Sequence, residues 1–200
     1  DMMDHDAGPA HGDGVPLASL VEVDRVVKAV LRQLKERSLR TKERCMELLA
    51  ELLAALGQGG LEAHLAALAP HLEKSVEKGK GAKPSLRIEA LGVLSLVVDK
   101  HAGSDLTVYV RRLGPRVVEA VGDSNYRVSS VALRVCGKLA SAQGKDGLPL
   151  LKAGDPFVDG LYTAVVGRLG SQDQDLEVKE SAIAAAASMV CRLGGVLGDA

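Results

Sequence analysis

The feature that most constrains this chain is a stripe of small and apolar residues that returns four times in the same register. Cys45, Ala90, Ala132 and Ala182 form one column, with spacings of 45, 42 and 50 residues. Four residues earlier stand Thr41, Leu86, Val128 and Val178; one residue later, Met46, Leu91, Leu133 and Ile183. Three and four residues later come Leu48, Val93, Val135 and Ala185, then Leu49, Leu94, Cys136 and Ala186. Seven and eight residues later come Leu52, Val97, Leu139 and Met189, then Leu53, Val98, Ala140 and Val190. At 3.6 residues per turn these offsets trace one continuous helical face. Thr41 alone is neither apolar nor small in the strict sense, so the four segments are copies of one amphipathic helix.

Other helical segments lie between these copies, separated by short Gly-, Asp- or Ser-containing breaks. The expected helices are 20–36, 40–56, 61–77, 85–101, 105–121, 126–142, 156–169 and 176–193. A unit of about 40–47 residues holding two helices is the HEAT/armadillo pattern. The expectation is therefore an all-α fold, an α–α superhelix of about four helix-pair repeats. Their expected bounds are 17–57, 58–102, 103–143 and 144–195, with 196–200 opening a further, truncated repeat. Residues 1–16, a Gly/Asp/His/Pro mixture without period, are expected to be a disordered tail. One helix pair cannot bury so broad an apolar face alone, so neighbours must stack and share the core. The two raw ends of such a stack are expected to be apolar.

Local chemistry agrees with this arrangement. Pro70 and Pro115, 45 residues apart, fall inside the first helices of the second and third units. There a missing N–H is expected to bend the helix, the alternative being that each proline ends it. Ser38, Ser85, Ser124 and Asp175 precede the second helices and are expected to cap them. Gly57-Gln58-Gly59-Gly60 is placed to supply left-handed caps. Aromatic residues are only 2% of the chain and Trp is absent, so the core must be Leu, Val and Ala. No stretch alternates cleanly enough to be a strand.

Several functional classes are excluded on the same grounds. A net charge of −1 gives no general attraction to nucleic acid or an anionic membrane. Apolar runs are broken well before about 18 residues, too short to span a bilayer. Cys45, Cys136 and Cys191 are odd in number and far apart, which argues against structural disulfides or zinc. They suit a reducing compartment, cytoplasmic or nuclear. No G-x-S-x-G, H-E-x-x-H or pocketed carboxylate pair is present, so no catalytic residue, small-molecule substrate or cofactor is expected. Asp4, His5, Asp6, His11 and Asp13 sit in a glycine-rich tail without the preorganisation a metal needs. Gly79–Ser85 lacks the spacing of a phosphate loop. His64 and His71 read as surface or satisfied side chains, and Lys74, Lys78, Lys80 and Lys83 as a solvated loop offset by Glu73 and Glu77, with a patch for an acidic partner as the alternative.

Three stretches carry a family resemblance. They are residues 34–41 (LKERSLRT, leading into Cys45), 121–128 (VGDSNYRV, followed by SSVAL) and 173–183 (DQDLEVKESAI). With Pro70 and Pro115 between them, their order resembles an interior segment of the cullin-associated, neddylation-dissociated proteins, over about residues 15–200. The resemblance implies a HEAT-repeat scaffold several times longer than this chain. Such a scaffold wraps around a cullin that carries its RING subunit and lacks its ubiquitin-like modifier. It promotes exchange of the substrate-receptor modules of cullin ubiquitin ligases, through elements that lie C-terminal to this segment. The richness in Ala and Gly departs from the family pattern.

The partner surface expected of such a stack is the outward side of the second helices. The register places Glu43, Glu47, Glu51, Arg134, Lys138 and Glu180 there, with Lys42, Arg87 and Lys179 at the helix starts. The last three could equally bridge neighbouring repeats. Mixed sign suits a protein partner better than a polyanion. A rival reading is a transport receptor or phosphatase scaffold of the same architecture. A transport receptor would carry an acidic inner face with aromatic pockets, which the near-neutral, Trp-free composition does not offer.

Overall fold

The computed structural model of the chain describes residues 17–79, 83–152, 155–172 and 175–197. The expected tail at 1–16 and Lys80 lie outside the described residues. Among those described, the elements are α1 (Leu17–Gln33), α2 (Leu39–Ala55), α3 (Leu65–Val76), α4 (Pro84–Lys100), α5 (Thr107–Val121), α6 (Tyr126–Ser141), α7 (Pro156–Gly170) and α8 (Leu176–Leu197). A short 3-10 turn, Glu62–His64, leads into α3. The helices pair as α1/α2, α3/α4, α5/α6 and α7/α8. First helices then stack on first helices and second on second, giving two layers around one shared core. The fold is the all-α solenoid that the register implies.

The central column is buried in every copy: Cys45, Ala90, Ala132 and Ala182. The stripe has two flanks, and the ends of the stack separate them. Leu48 in α2 is 37% exposed, whereas its equivalents Val93, Val135 and Ala185 are buried. Conversely Ile183 and Val190 in α8 are 61% and 63% exposed, whereas their equivalents in α2, α4 and α6 are buried. One flank therefore packs on the preceding second helix and the other on the following one. The expectation that all seven columns are core holds for the interior repeats apart from Leu86, which is half-buried at the start of α4. It is corrected at the two end helices, which have one neighbour each.

Small residues set the helix spacing. A Cβ added at Gly137 of α6 would lie 3.3 Å from the Ala185 backbone of α8. This approach, beside Ala132 and Ala182, is what the Ala- and Gly-rich composition permits. Pro70 and Pro115 lie inside α3 and α5. Ala66 and Arg111, whose carbonyls lose their usual N–H donors, are exposed residues that water can reach. The one fully buried tyrosine, Tyr109 of α5, donates its hydroxyl to Leu65 O of α3 at 2.8 Å. Burial raises its phenol above the usual range.

The caps are half as expected. Ser38 Oγ accepts from Thr41 N at 3.2 Å. Asp175 Oδ1 accepts from Glu177 N and Val178 N at 2.9 and 3.3 Å. Ser85 and Ser124 are not caps: α4 opens at Pro84 after Lys83, and Asn125 caps α6 by accepting from Arg127 N and Val128 N. A proline at the first helical position replaces one orphan N–H, which lets α4 begin one residue before Ser85. Gly57 and Gly59 have φ of +71° and +72°, as left-handed turn positions require. The helix α8 runs through Gly194-Gly195 to Leu197, past the break expected after 193 and into the segment expected to open a further repeat. Glycine there costs about 1 kcal/mol each but keeps its N–H, so the backbone ladder continues.

Candidate protein-binding surface

The outward side of the second helices is a row of polar side chains linked from repeat to repeat. Ser85 Oγ of α4 donates to Glu43 of α2. Lys138 of α6 pairs with Asp99 of α4. Arg134 Nη1 of α6 lies 3.2 Å from Glu177 Oε1 of α8. Ser130 Oγ donates to the same carboxylate at 2.9 Å and sits 3.0 Å from Ser181 Oγ. Each repeat is thus tied to the next by polar contacts beside the apolar seam, exposed or half-exposed except at the buried Ser130 and Ser181. Such ties contribute about 0–1 kcal/mol apiece, so they set register and facing more than stability.

The expected partner residues divide accordingly. Glu43, Arg134 and Lys138 make inter-repeat ties, and Glu47 pairs with Arg44 one turn away on its own helix. Glu51, Lys179 and Glu180 are exposed and make no side-chain hydrogen bond or ion pair among the described residues. Lys42 is half-buried at the edge of the row. Arg87 corrects its expectation: its side chain is 5% exposed and turned inward. Its Nε donates to Val76 O at 2.9 Å and its Nη1 to Asp123 Oδ2 at 2.5 Å. Arg87 is therefore a bridge from the second repeat to the third, and is not presented to a partner.

The reason lies in its place in the unit. Three residues before the central column stand Arg87 in α4 and Ser129 in α6. Ser129 Oγ donates to Val121 O at 2.7 Å, as Arg87 Nε does to Val76 O. Val76 and Val121 end the first helices of their repeats, where carbonyls lack intrahelical partners. This position caps the preceding helix, and the longer arginine also reaches the next repeat. Burial would raise the Asp123 carboxyl, but the Arg87 hydrogen bond, the Asn125 N–H at 2.8 Å and the charges of Arg87 and Lys78 hold it below its ordinary value.

Sequence reasoning missed Glu89, Asp99, Ser130, Glu177 and Ser181, and assigned Ser85 only a capping role. Most of these flank the stripe and were passed over because no single column repeats their chemistry. Glu89 is half-buried; burial first, then the charges of Glu47 and Glu43, push its carboxyl up. Glu43, Glu47 and Glu89 thus gather carboxylates on the α2–α4 part of the row, beside a basic part at Arg134 and Lys138.

The remaining chemistry is plain. Cys45 and Cys136 are buried, and burial pushes the Cys136 thiol up to about 12. Cys191 is exposed. His64 Nε2 lies 3.3 Å from Asp24 Oδ1. Among the described residues no group of three His, Cys, Asp or Glu is placed to hold a metal, and no helix is long and apolar enough to cross a membrane.

Comparison with solved structures places the fold among armadillo-type solenoids. A designed armadillo repeat protein superposes with a TM-score of 0.63 at 12% identity, over 86% of this chain and 68% of its own. An engineered protein does so at 0.63 and 18% identity, over 82% of this chain and 62% of its own. In sequence, a family model described as "CAND1-like, TPR repeats" matches residues 59–186. The 45-, 42- and 50-residue spacings all exceed the 34 residues of a TPR unit, and the first two fall within the range of HEAT units. Cullin-associated NEDD8-dissociated protein 1 of Arabidopsis thaliana is 36% identical over 88% of this chain. Protein 2 of that name from Mus musculus is 33% identical over 84%, and protein 1 from Drosophila melanogaster 29% over 98%. The chain spans 14% of the length of the first two relatives. The repeat register, the two-layer stack and these matches agree: the chain belongs to the cullin-associated, NEDD8-dissociated family of HEAT-repeat scaffolds.

Proposed function

We propose that this chain is a non-enzymatic stretch of a scaffold that binds cullin–RING ligase cores lacking the ubiquitin-like modifier. In that role it promotes exchange of their substrate-receptor modules. The observation that carries the reading is the family match over residues 59–186 together with the names of the relatives. The physical role of this stretch is to hold a row of second-helix side chains at fixed repeat spacing. Glu51, Lys179 and Glu180, exposed and untied, are the positions on that row free to engage a partner. The three cysteines, none bonded to another, suit a reducing cytoplasmic or nuclear setting.

The test is co-purification of the longer protein that carries this segment with cullin–RING complexes, modified and unmodified. Recovery of the unmodified form alone supports the exchange-factor reading. Recovery of neither removes it and leaves the solenoid standing. Charge reversal at Glu51 and Glu180 together then asks whether this stretch makes contact or only spaces other contacts.

A further inference from the structure

Where the α1–α2 turn meets the end of α3 and the start of α4, the surface folds into a groove of about 510 Å³. Five cationic side chains line it: Arg37, Lys42, Lys74, Lys78 and Lys83. They come from both repeats and from the two intra-repeat turns, which the stack brings side by side. The one carboxylate on the lining, Glu77, is already bonded to Arg116 Nη2 at 3.0 Å. Lys78 is 3.9 Å from an Asp123 carboxylate that Arg87 holds. Arg37, Lys42, Lys74 and Lys83 make no ion pair among the described residues. Lys74, Lys78 and Lys83, expected to be solvated, thus face a second set of cations across a concavity.

His71 on the lining reports the same field. Its imidazole is held below its ordinary value by burial and then by the charges of Lys35, Lys74 and Lys42. A second groove of about 580 Å³ shares His71 and adds Lys28, Arg32 and Lys35. The positive surface therefore runs on along α1 at Arg32 and Lys35, while Lys28 is paired with Asp24 at 2.8 Å. In a chain of net charge −1, this is a segregation of charge and not an excess of it.

We infer that this groove docks an acidic, extended segment of a protein partner, one carrying an apolar residue among its carboxylates. Charge complementarity supplies the attraction and steers the encounter. The apolar residue is called for by Leu39 and Leu86, half-buried among the cations on the lining. A phosphate polyanion would leave those leucines unused. A single nucleic-acid strand would want aromatic stacking, and the lining has no Phe, Tyr or Trp. The inference rests on the groove alone and stands apart from the cullin reading.

The test is fluorescence anisotropy with the full 200-residue chain and a short fluorescein-labelled peptide alternating glutamate and leucine. Saturable binding is expected, weakened by salt and abolished when glutamine replaces glutamate in the probe. Lys42→Glu with Lys74→Glu should weaken it roughly tenfold or more, since each lost contact is worth up to a few-fold and reversal adds repulsion. Arg37→Gln with Lys83→Gln, a milder pair for the event that reversal disturbs folding, should weaken it about threefold on the same grounds. Lys152→Glu, the same charge change on the α6–α7 loop, should leave it unaltered. Absence of saturable binding overturns the inference. So does an equal loss from Lys152→Glu, or tighter binding of a short oligothymidylate than of the peptide.

Discussion

Replacing Arg87 with methionine tests how the second and third repeats are joined. The substitution keeps the aliphatic length and removes the guanidinium. Asp123, itself 5% exposed, then keeps its Asn125 N–H but loses its close cation, with only Lys78 at 3.9 Å to answer it. Val76 O loses its donor at the end of α3. Breaking a buried ion pair from one side costs about 3–5 kcal/mol. Because Lys78 is more than half exposed and can swing inward, the lower end, about 3 kcal/mol, is expected at neutral pH. Adding Asp123→Asn removes the stranded charge and keeps an acceptor for Asn125. The double variant should therefore be less unstable than the two single changes summed, by about 2 kcal/mol. Urea unfolding followed by helical circular dichroism measures all four species. Acid supplies a further sign. Asp123 is held below its ordinary 3.8 in the fold, so its contribution is full above that value and is lost as pH falls through the lower, folded one. In Arg87→Met the carboxyl neutralises more readily, and the gap to the parent should narrow below about pH 4. A single substitution within about 0.5 kcal/mol of the parent, or strict additivity in the double, would refute the bridge.

Leu91→Asp or Leu133→Asp sets a carboxylate in a fully buried column and should cost about 4 kcal/mol or more, whereas Glu47→Ala should leave the melting temperature nearly unchanged; equal effects would mean the register is wrong. His101 accepts from Leu61 N at its Nε2 (3.2 Å), with Nδ1 3.3 Å from Val97 O, which fits the neutral ring. Burial holds it below its ordinary 6.5, against the opposing Val97 and Glu62 influences. Its contribution is therefore full above 6.5 and lost as pH falls through the lower folded value. Unfolding free energy should decline between pH 7 and 5, and His101→Gln should make that decline shallower; His71, shifted the same way, supplies the remainder. Gly137→Leu should push α8 from α6 and cost about 1–3 kcal/mol in the same urea assay, while Gly160→Ala, with open space around it, should stabilise or leave the fold unchanged.

The stripe was legible because it is a periodic property of the chain. Offsets that put Ala90, Leu91 and Val97 on one face need no partner to be read. What the period could not reveal is which flank meets which neighbour, so Leu48 and Ile183 looked like core until the stack showed one helix beside each. Long side chains escaped for a related reason. Arg87 and Lys42 share a column, yet one lies buried against Asp123 and the other lines a groove, because their surroundings come from other repeats. Ser124 lost its capping role to Asn125 by one residue, a difference of turn geometry that composition cannot resolve. The cationic groove depends on Arg37 and Lys83, distant in the chain and adjacent only after stacking.

The row of polar ties bears on the mechanics of the solenoid. Resistance to bending has two sources of unlike character: an apolar seam that salt hardly affects, and exposed ionic links that it weakens. At physiological ionic strength charges are screened over about 8 Å, and stronger salt shortens that reach. Asp99–Lys138 and Arg134–Glu177 sit on the second-helix layer, and Arg112–Glu73 and Arg116–Glu77 on the first-helix layer. Salt therefore loosens both sides of the seam together, whereas charges brought to one layer relax that side alone. Curvature in this protein is then a compliant quantity, adjustable by the charges that meet its second-helix row. A partner carrying such charges would alter the span between distant contacts as it bound.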